Sequence, residues 1–148
     1  PDQEVVYITD CHPENHSSFV EFGGIWPPHC IEGTRGGAIH ESFYTKVENP
    51  ANRPDPNRNI FRKGCKQDEE QYSGYEAVNS NGVALKDYAN KDVVVSGIAT
   101  EYCVYNTVNE FLKSGRNVEL LHDALGYVDY EGHKKTIKDL RKMVTVVE

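Results

Sequence analysis

The chain has 148 residues and a formal net charge of −7, from 23 Asp and Glu against 16 Lys and Arg. That length builds one domain with a real core. The charge excludes nucleic acid and anionic membrane as partners, since both need clustered cations. No apolar stretch reaches membrane-span length and no leader-like segment precedes the first strand, so a cytoplasmic protein is expected. The four cysteines (Cys11, Cys30, Cys65 and Cys103) lack the paired spacing of a structural zinc site. Two extracellular disulfides would use all four, but a chain this long does not need staples, and reduced thiols are expected.

In chain order, Val5 to Thr9 reads as a short buried strand that ends at Asp10. From Cys11 to about Arg58 there is little periodicity and much Gly, Pro, Asn and His, the character of a functional loop. Its last part, Asn49 to Asn59, carries three prolines and reads as a surface excursion. Ile60-Phe61-Arg62 is a second short strand, and Val83 to Tyr88 a short helix. A valine-rich strand follows over Asp92 to Ser96, then a tight turn through Gly97-Ile98-Ala99, with Thr100 placed to cap the next helix. That helix carries Val104, Val108, Phe111 and Leu112 on one face and stops at Ser114-Gly115. Val118 to Leu121 is a strand, His133 to Lys142 a helix and Val144 to Val147 the last strand. Strand alternating with helix predicts an α/β fold, in which ligands gather at the carboxyl ends of the strands. Asp10, Lys63, Cys103 and Asp123 fall there.

Asp10, His12 and His29 form the strongest chemical signal. Two imidazoles and a carboxylate suit a borderline divalent ion with coordination positions left open. With His16 they lie in a Gly- and Pro-rich loop where no helix or strand face accounts for them. Cys103 lies one turn into a helix, where backbone amides and the positive end of the dipole favour a thiolate. A nucleophile also needs a base and an oxyanion site, the latter within reach of the amides of Ala99 and Cys103. The competing reading makes Cys103 a small buried hydrophobe. Lys63 can stabilise a thiolate or an anion, or simply be solvated. Trp26, between Ile25 and two prolines, is either a hydrophobic plug or a stacking wall for a flat ligand.

The segments Asp10-Cys11-His12-Pro13-Glu14-Asn15-His16, Gly24-Ile25-Trp26-Pro27-Pro28-His29-Cys30, Lys63-Gly64, Tyr72-Ser73-Gly74-Tyr75 and Ser96-Gly97-Ile98-Ala99-Thr100-Glu101-Tyr102-Cys103 stand in a telling order. Together with Thr107 and Asp123-Ala124, they resemble the nicotinamidase (pyrazinamidase) branch of the isochorismatase-like cysteine hydrolases. The resemblance implies a three-layer α/β/α fold with a mostly parallel sheet. It implies that Cys103 attacks the carboxamide carbon of nicotinamide, that ammonia leaves, and that water hydrolyses the thioester to nicotinate, a reaction of NAD salvage. Lys63 would match the triad lysine. Ala99 and Cys103 would match the oxyanion amides, with a cis peptide between Ile98 and Ala99.

Asp10, His12 and His29 would match the ligands of one divalent ion, zinc first, with iron or manganese as alternatives. His16 is a ligand in some members and not in others. Trp26, Tyr72 and Tyr102 would line the ring pocket for the small-molecule partner, and a homo-oligomer is left open. The family opens with a strand carrying the Asp that acts as the triad base, and nothing here matches it. Asp2 precedes a strand instead of ending one. The expectation is therefore a single isochorismatase-like domain over residues 1–148 that is N-terminally incomplete, by roughly 30 to 50 residues on usual element lengths. The alternatives are a sister cysteine hydrolase acting on another small amide, or an inactive homologue that binds metal or nicotinamide.

Overall fold

The computed structural model describes residues 3–148. Asp2 lies outside them. Backbone packing divides the chain into two compact units, one running to Gln71 and including Glu76–Leu85, the other formed by Tyr72–Tyr75 and Lys86–Glu148.

In the first unit, β1 (Tyr7–Asp10) pairs in parallel with β2 (Ile60–Lys63), with Tyr7 opposite Ile60 and Asp10 opposite Lys63. β1 begins at Tyr7, later than expected, because side chains take up the backbone of Val5. The Val5 N–H donates to Asn52 Oδ1 (3.2 Å), and its carbonyl accepts from Asn59 Nδ2 (2.9 Å). The Asn49–Asn59 stretch is thus only partly a surface excursion. Asn59 is fully buried, donating also to the Arg53 carbonyl (3.1 Å) and accepting from the Asp55 N–H (2.8 Å). Three hydrogen bonds on one buried amide make it the clasp at the start of the sheet.

The long loop contains only short turns, among them the one-turn helix α1 (Ser42–Thr45). Phe19, Phe61 and Leu85 form the largest buried apolar side chains of this unit. The helix expected from Val83 is a single turn, α2 (Leu85–Tyr88). Its first residues are lost because the Val83 N–H is held by Asn79 Oδ1 (3.0 Å) and Ala84 bridges to Val78.

The expectation of four reduced thiols is corrected: Cys11 and Cys65 form a disulfide, with Cα atoms 4.8 Å apart. Cys11 directly follows β1 and Cys65 closely follows β2, so parallel pairing brings together two residues 54 apart in sequence. Cys30 and Cys103 lie outside any disulfide.

The second unit has the predicted alternation. β3 (Asp92–Gly97), β4 (Asn117–Leu125) and β5 (Thr145–Val147) form a parallel sheet in that order. Between them come α3 (Tyr105–Lys113) and α4 (Tyr130–Leu140). Val104, Val108 and Phe111 bury one helical face, as their spacing predicts, together with Val118 and Leu120 of β4 and Ile137 and Leu140 of α4. α4 starts earlier than expected because Asp129 is its N-cap, its carboxylate accepting from the Gly132 N–H at 2.6 Å. Gly115, at φ +82°, ends the α3 segment in the left-handed conformation.

Thr100 is not the cap it was expected to be. Its hydroxyl and its N–H both donate to the Gly126 carbonyl, each at 2.9 Å, and the hydroxyl oxygen accepts from His133 Nδ1 at 3.0 Å. The α/β character holds, but the strands belong to two parallel sheets, of two and three strands, instead of one. Among the described residues the ladder of β1 runs only to β2, and that of β3 only to β4. None of the described helices is long and apolar enough to cross a membrane.

Candidate active site

Parallel pairing in the first unit sets Asp10 and Lys63, the last residues of β1 and β2, side by side. Lys63 is 4% exposed, and its Nζ lies 2.6 Å from Asp10 Oδ1. A buried ammonium is costly alone, and here it carries its counter-charge with it. It also donates to the Gln71 carbonyl at 2.9 Å.

The other carboxylate oxygen, Asp10 Oδ2, lies 3.8 Å from His12 Nε2. His12 is buried, and its Nδ1–H donates to the Gly64 carbonyl at 2.7 Å. Because a carbonyl only accepts, this bond fixes the tautomer and leaves the lone pair on Nε2. His29 is arranged alike, its Nδ1–H donating to the Pro27 carbonyl at 2.8 Å. Ligand atoms of Asp10, His12 and His29 lie within 4.8 Å of one another. Burial pushes the His12 imidazole below its ordinary pKa. The Gly64 carbonyl and the Asp10 carboxylate pull the other way, and His16 and His29 reinforce the lowering. A neutral imidazole is the form that binds metal. Two oriented lone-pair nitrogens and one carboxylate therefore fit a borderline divalent cation.

His16 is placed differently. It is fully buried with its ring 4.1 Å from that of His12, but both nitrogens are engaged. Nε2 donates to the Glu69 carbonyl (3.0 Å), while Nδ1 accepts from the Ser18 hydroxyl (2.7 Å) and the Ser18 N–H (3.2 Å). Trp26 is half-buried, with its ring centroid 6.3 Å from that of His29. Asp123, expected at a strand end, lies within β4 with its side chain exposed and Oδ1 3.5 Å from His122 Nδ1. It is no part of the metal trio.

Gly64 has no room for a side chain. Its φ is +63°, and an added Cβ would lie 2.5 Å from His12 Cε1 and 2.9 Å from His12 Nδ1. Gly64→Ala is expected to lose about 1–2 kcal/mol from the left-handed backbone alone and to push His12 out of line. A lowered melting temperature together with weakened zinc binding in a competition titration checks this.

In the second unit, Gly97 (φ +117°) turns the chain out of β3, and the Ile98–Ala99 peptide is cis. Thr100–Val104 forms a π-type turn that runs into α3. The Ala99 carbonyl accepts from the N–H groups of Tyr102 (3.1 Å) and Val104 (3.2 Å). Cys103 thus sits in the first turn of the helical segment, half-buried. Thr107 ties the Tyr72–Tyr75 segment to this turn: its hydroxyl donates to the Cys103 carbonyl (2.7 Å) and accepts from the Gly74 N–H (2.8 Å). The rings of Tyr72 and Tyr102 consequently lie 5.5 Å apart. Glu101 was given no role by the sequence. Its carboxylate accepts from the Val128 (3.1 Å) and Asp129 (2.7 Å) N–H groups and so fastens the Cys103 turn to the loop before α4. Its partners are 27 and 28 residues away, with no local pattern to announce them.

Residues 70–148 match the isochorismatase domain family. The chain is 30% identical over 144 residues to the nicotinamidase/pyrazinamidase of Mycobacterium tuberculosis, an alignment covering 93% of this chain and 72% of that protein. It is 30% identical to the nicotinamidase of Acinetobacter baylyi, covering 86% of this chain and 65% of the relative. Among solved structures, the pyrazinamidase of Pyrococcus horikoshii in complex with zinc superposes with a TM-score of 0.78 at 33% identity, over 98% of this chain and 75% of that one. PnC1 of L. infantum in complex with nicotinate also gives 0.78 at 33% identity, over 98% and 71%. With the α/β alternation and the cysteine turn after β3 in place, these likenesses settle the kinship: the chain belongs to the isochorismatase family.

Proposed function

We propose that this chain is a metal-dependent nicotinamidase that hydrolyses nicotinamide to nicotinate and ammonia, with pyrazinamide as an analogue substrate. The observation that carries the reading is the trio Asp10, His12 and His29, whose nitrogens and carboxylate converge with their tautomers already fixed. The relatives support it, being nicotinamidases and pyrazinamidases, one solved with zinc.

Cys103 Sγ attacks the carboxamide carbon, forming a C–S bond while the carbonyl pair moves onto oxygen. The amides of Ala99 and Cys103 hold that oxyanion. The C–N bond then breaks, and the nitrogen takes up the proton that the thiol gave up and leaves as ammonia. Water then gives its hydroxyl to the acyl carbon and its proton to sulfur as the C–S bond breaks, releasing nicotinate and restoring the thiol. Lys63 takes the part of the triad lysine, its charge held in place by Asp10. Trp26, Tyr72 and Tyr102 are the residues assigned to the pyridine ring. Asp10, His12 and His29 would hold one divalent ion, zinc first. When bound, such an ion supplies a Lewis-acidic anchor for the ring nitrogen. His16 acts from outside the ligand set by packing on His12. The setting is cytoplasmic NAD salvage, within a single isochorismatase-like domain.

The test is a panel of small amides offered to the full polypeptide with zinc, scored by ammonia release. Turnover of nicotinamide and pyrazinamide is expected. Cleavage of another amide with none of the pyridine carboxamides would make it a sister cysteine hydrolase.

A further inference from the structure

We infer that Gln71 is a positioning residue that sets the metal-ligand histidine and the buried lysine from a single point. The inference rests on the metal reading of Asp10, His12 and His29. Both acceptors of Gln71 are spent on adjacent residues: Oε1 accepts from the Gly64 N–H at 3.0 Å, and the main-chain carbonyl accepts from Lys63 Nζ at 2.9 Å. The Gly64 carbonyl in turn accepts from His12 Nδ1–H at 2.7 Å. The chain of contacts is therefore Gln71 Oε1, Gly64 N–H, Gly64 C=O, His12 Nδ1–H, leaving His12 Nε2 turned to the locus that Asp10 and His29 share.

The arrangement does more than satisfy polar groups. Gly64 sits at φ +63° with His12 directly against it, so the peptide has a preferred face and needs something to hold it there. The His12 bond grips the peptide that follows Gly64, through its carbonyl, and Gln71 grips the one before, through the Gly64 amide. Gln71 also feeds back on the same centre through Lys63, whose ammonium is shared between the Gln71 carbonyl and Asp10 Oδ1. One residue thus does both, its side chain keeping a nitrogen ligand in line through Gly64 and its main-chain carbonyl steadying the lysine bound to the carboxylate ligand. Partners that orient a metal-bound imidazole tune its affinity, and their loss costs about 10–100-fold in binding.

The test compares zinc affinity, read by chelator competition, in the full polypeptide and two variants. Gln71→Met keeps the length of the side chain and removes the acceptor, whereas Gln71→Glu keeps an acceptor in place. Weaker zinc binding by about 10–100-fold in Gln71→Met, with Gln71→Glu near wild type, is the expected result. Amide hydrogen exchange at Gly64 is expected to quicken in Gln71→Met alone. Should that variant fail to fold, Gln71→Ala carries the same comparison. Unchanged zinc affinity in the acceptor-less variant overturns the inference, as does equal weakening in both variants. Wild-type protein that binds no zinc overturns the metal reading itself, so the two failures are told apart.

Discussion

Cys103→Ala is expected to abolish ammonia release from nicotinamide, lowering turnover by roughly 10⁴-fold or more, with zinc content unchanged. The size of the effect follows from chemistry. Without the sulfur no covalent intermediate forms, and water would have to attack a resonance-stabilised amide directly. Metal should be spared because Cys103 is not among the proposed ligands Asp10, His12 and His29. Folding should also be kept, because Cys103 is half-buried and lies outside the disulfide. Cys103→Ser is the sharper comparison. It retains the shape and one hydrogen-bonding atom but replaces a thiol by a hydroxyl with a far higher pKa, and it should be nearly as inactive. Full activity in Cys103→Ala, measured by coupled ammonia assay, would remove the residue from the mechanism.

Removing the metal should have the second-largest effect. A strong chelator is expected to silence the enzyme, and zinc should restore it. His29→Ala should weaken zinc binding by more than about 100-fold, beyond the range typical of outer partners. Of the two proposed histidine ligands, His29 is the one to change because it is less deeply buried than His12. It is half-buried, its ring standing 5.4 Å from that of Phe19, and its hydrogen bond reaches two residues back, to Pro27. His12, by contrast, is buried, packs on His16 and Phe19 and holds Gly64, so its loss would mix coordination with stability. If the ion mainly anchors the substrate ring, residual turnover in His29→Ala at saturating zinc should show a raised KM more than a lowered kcat. Equal activity before and after complete metal removal would overturn the metal dependence.

The residues of the candidate site were legible to the extent that their chemistry is local. Asp10 ends a strand and His12 and His29 stand in the loop after it, where no helix or strand face accounts for two imidazoles, and the structure gathers all three. Cys103 follows a strand and opens a helix, which can be read from Val93 to Phe111 by periodicity. What stayed hidden depends on pairs far apart in the chain. Asn59 looks like a loop residue and becomes a buried clasp only because β1 lies against β2. Cys11 and Cys65 show no paired spacing, and only the register that sets Asp10 against Lys63 brings them together. Gln71 and Glu101 are ordinary polar residues until their partners are in place. Thr100 illustrates the opposite error: its local pattern as a cap was sound, but Gly126 and His133 compete for its hydroxyl and win. The lower bounds of β1 and α2 moved for the same reason, since the asparagines Asn52, Asn59 and Asn79 take backbone groups that the strand and the helix would otherwise use.

As the proposed nucleophile, Cys103 should carry the acyl group of nicotinamide during turnover. Acid-quenched mass spectrometry of the full, zinc-loaded polypeptide mixed with nicotinamide, followed by proteolysis, tests it most directly. A nicotinoyl adduct is expected on the peptide that holds Cys103, present in the first turnovers and absent from Cys103→Ala. An adduct on Cys30, or nicotinate formed with Cys103 never modified, would contradict it.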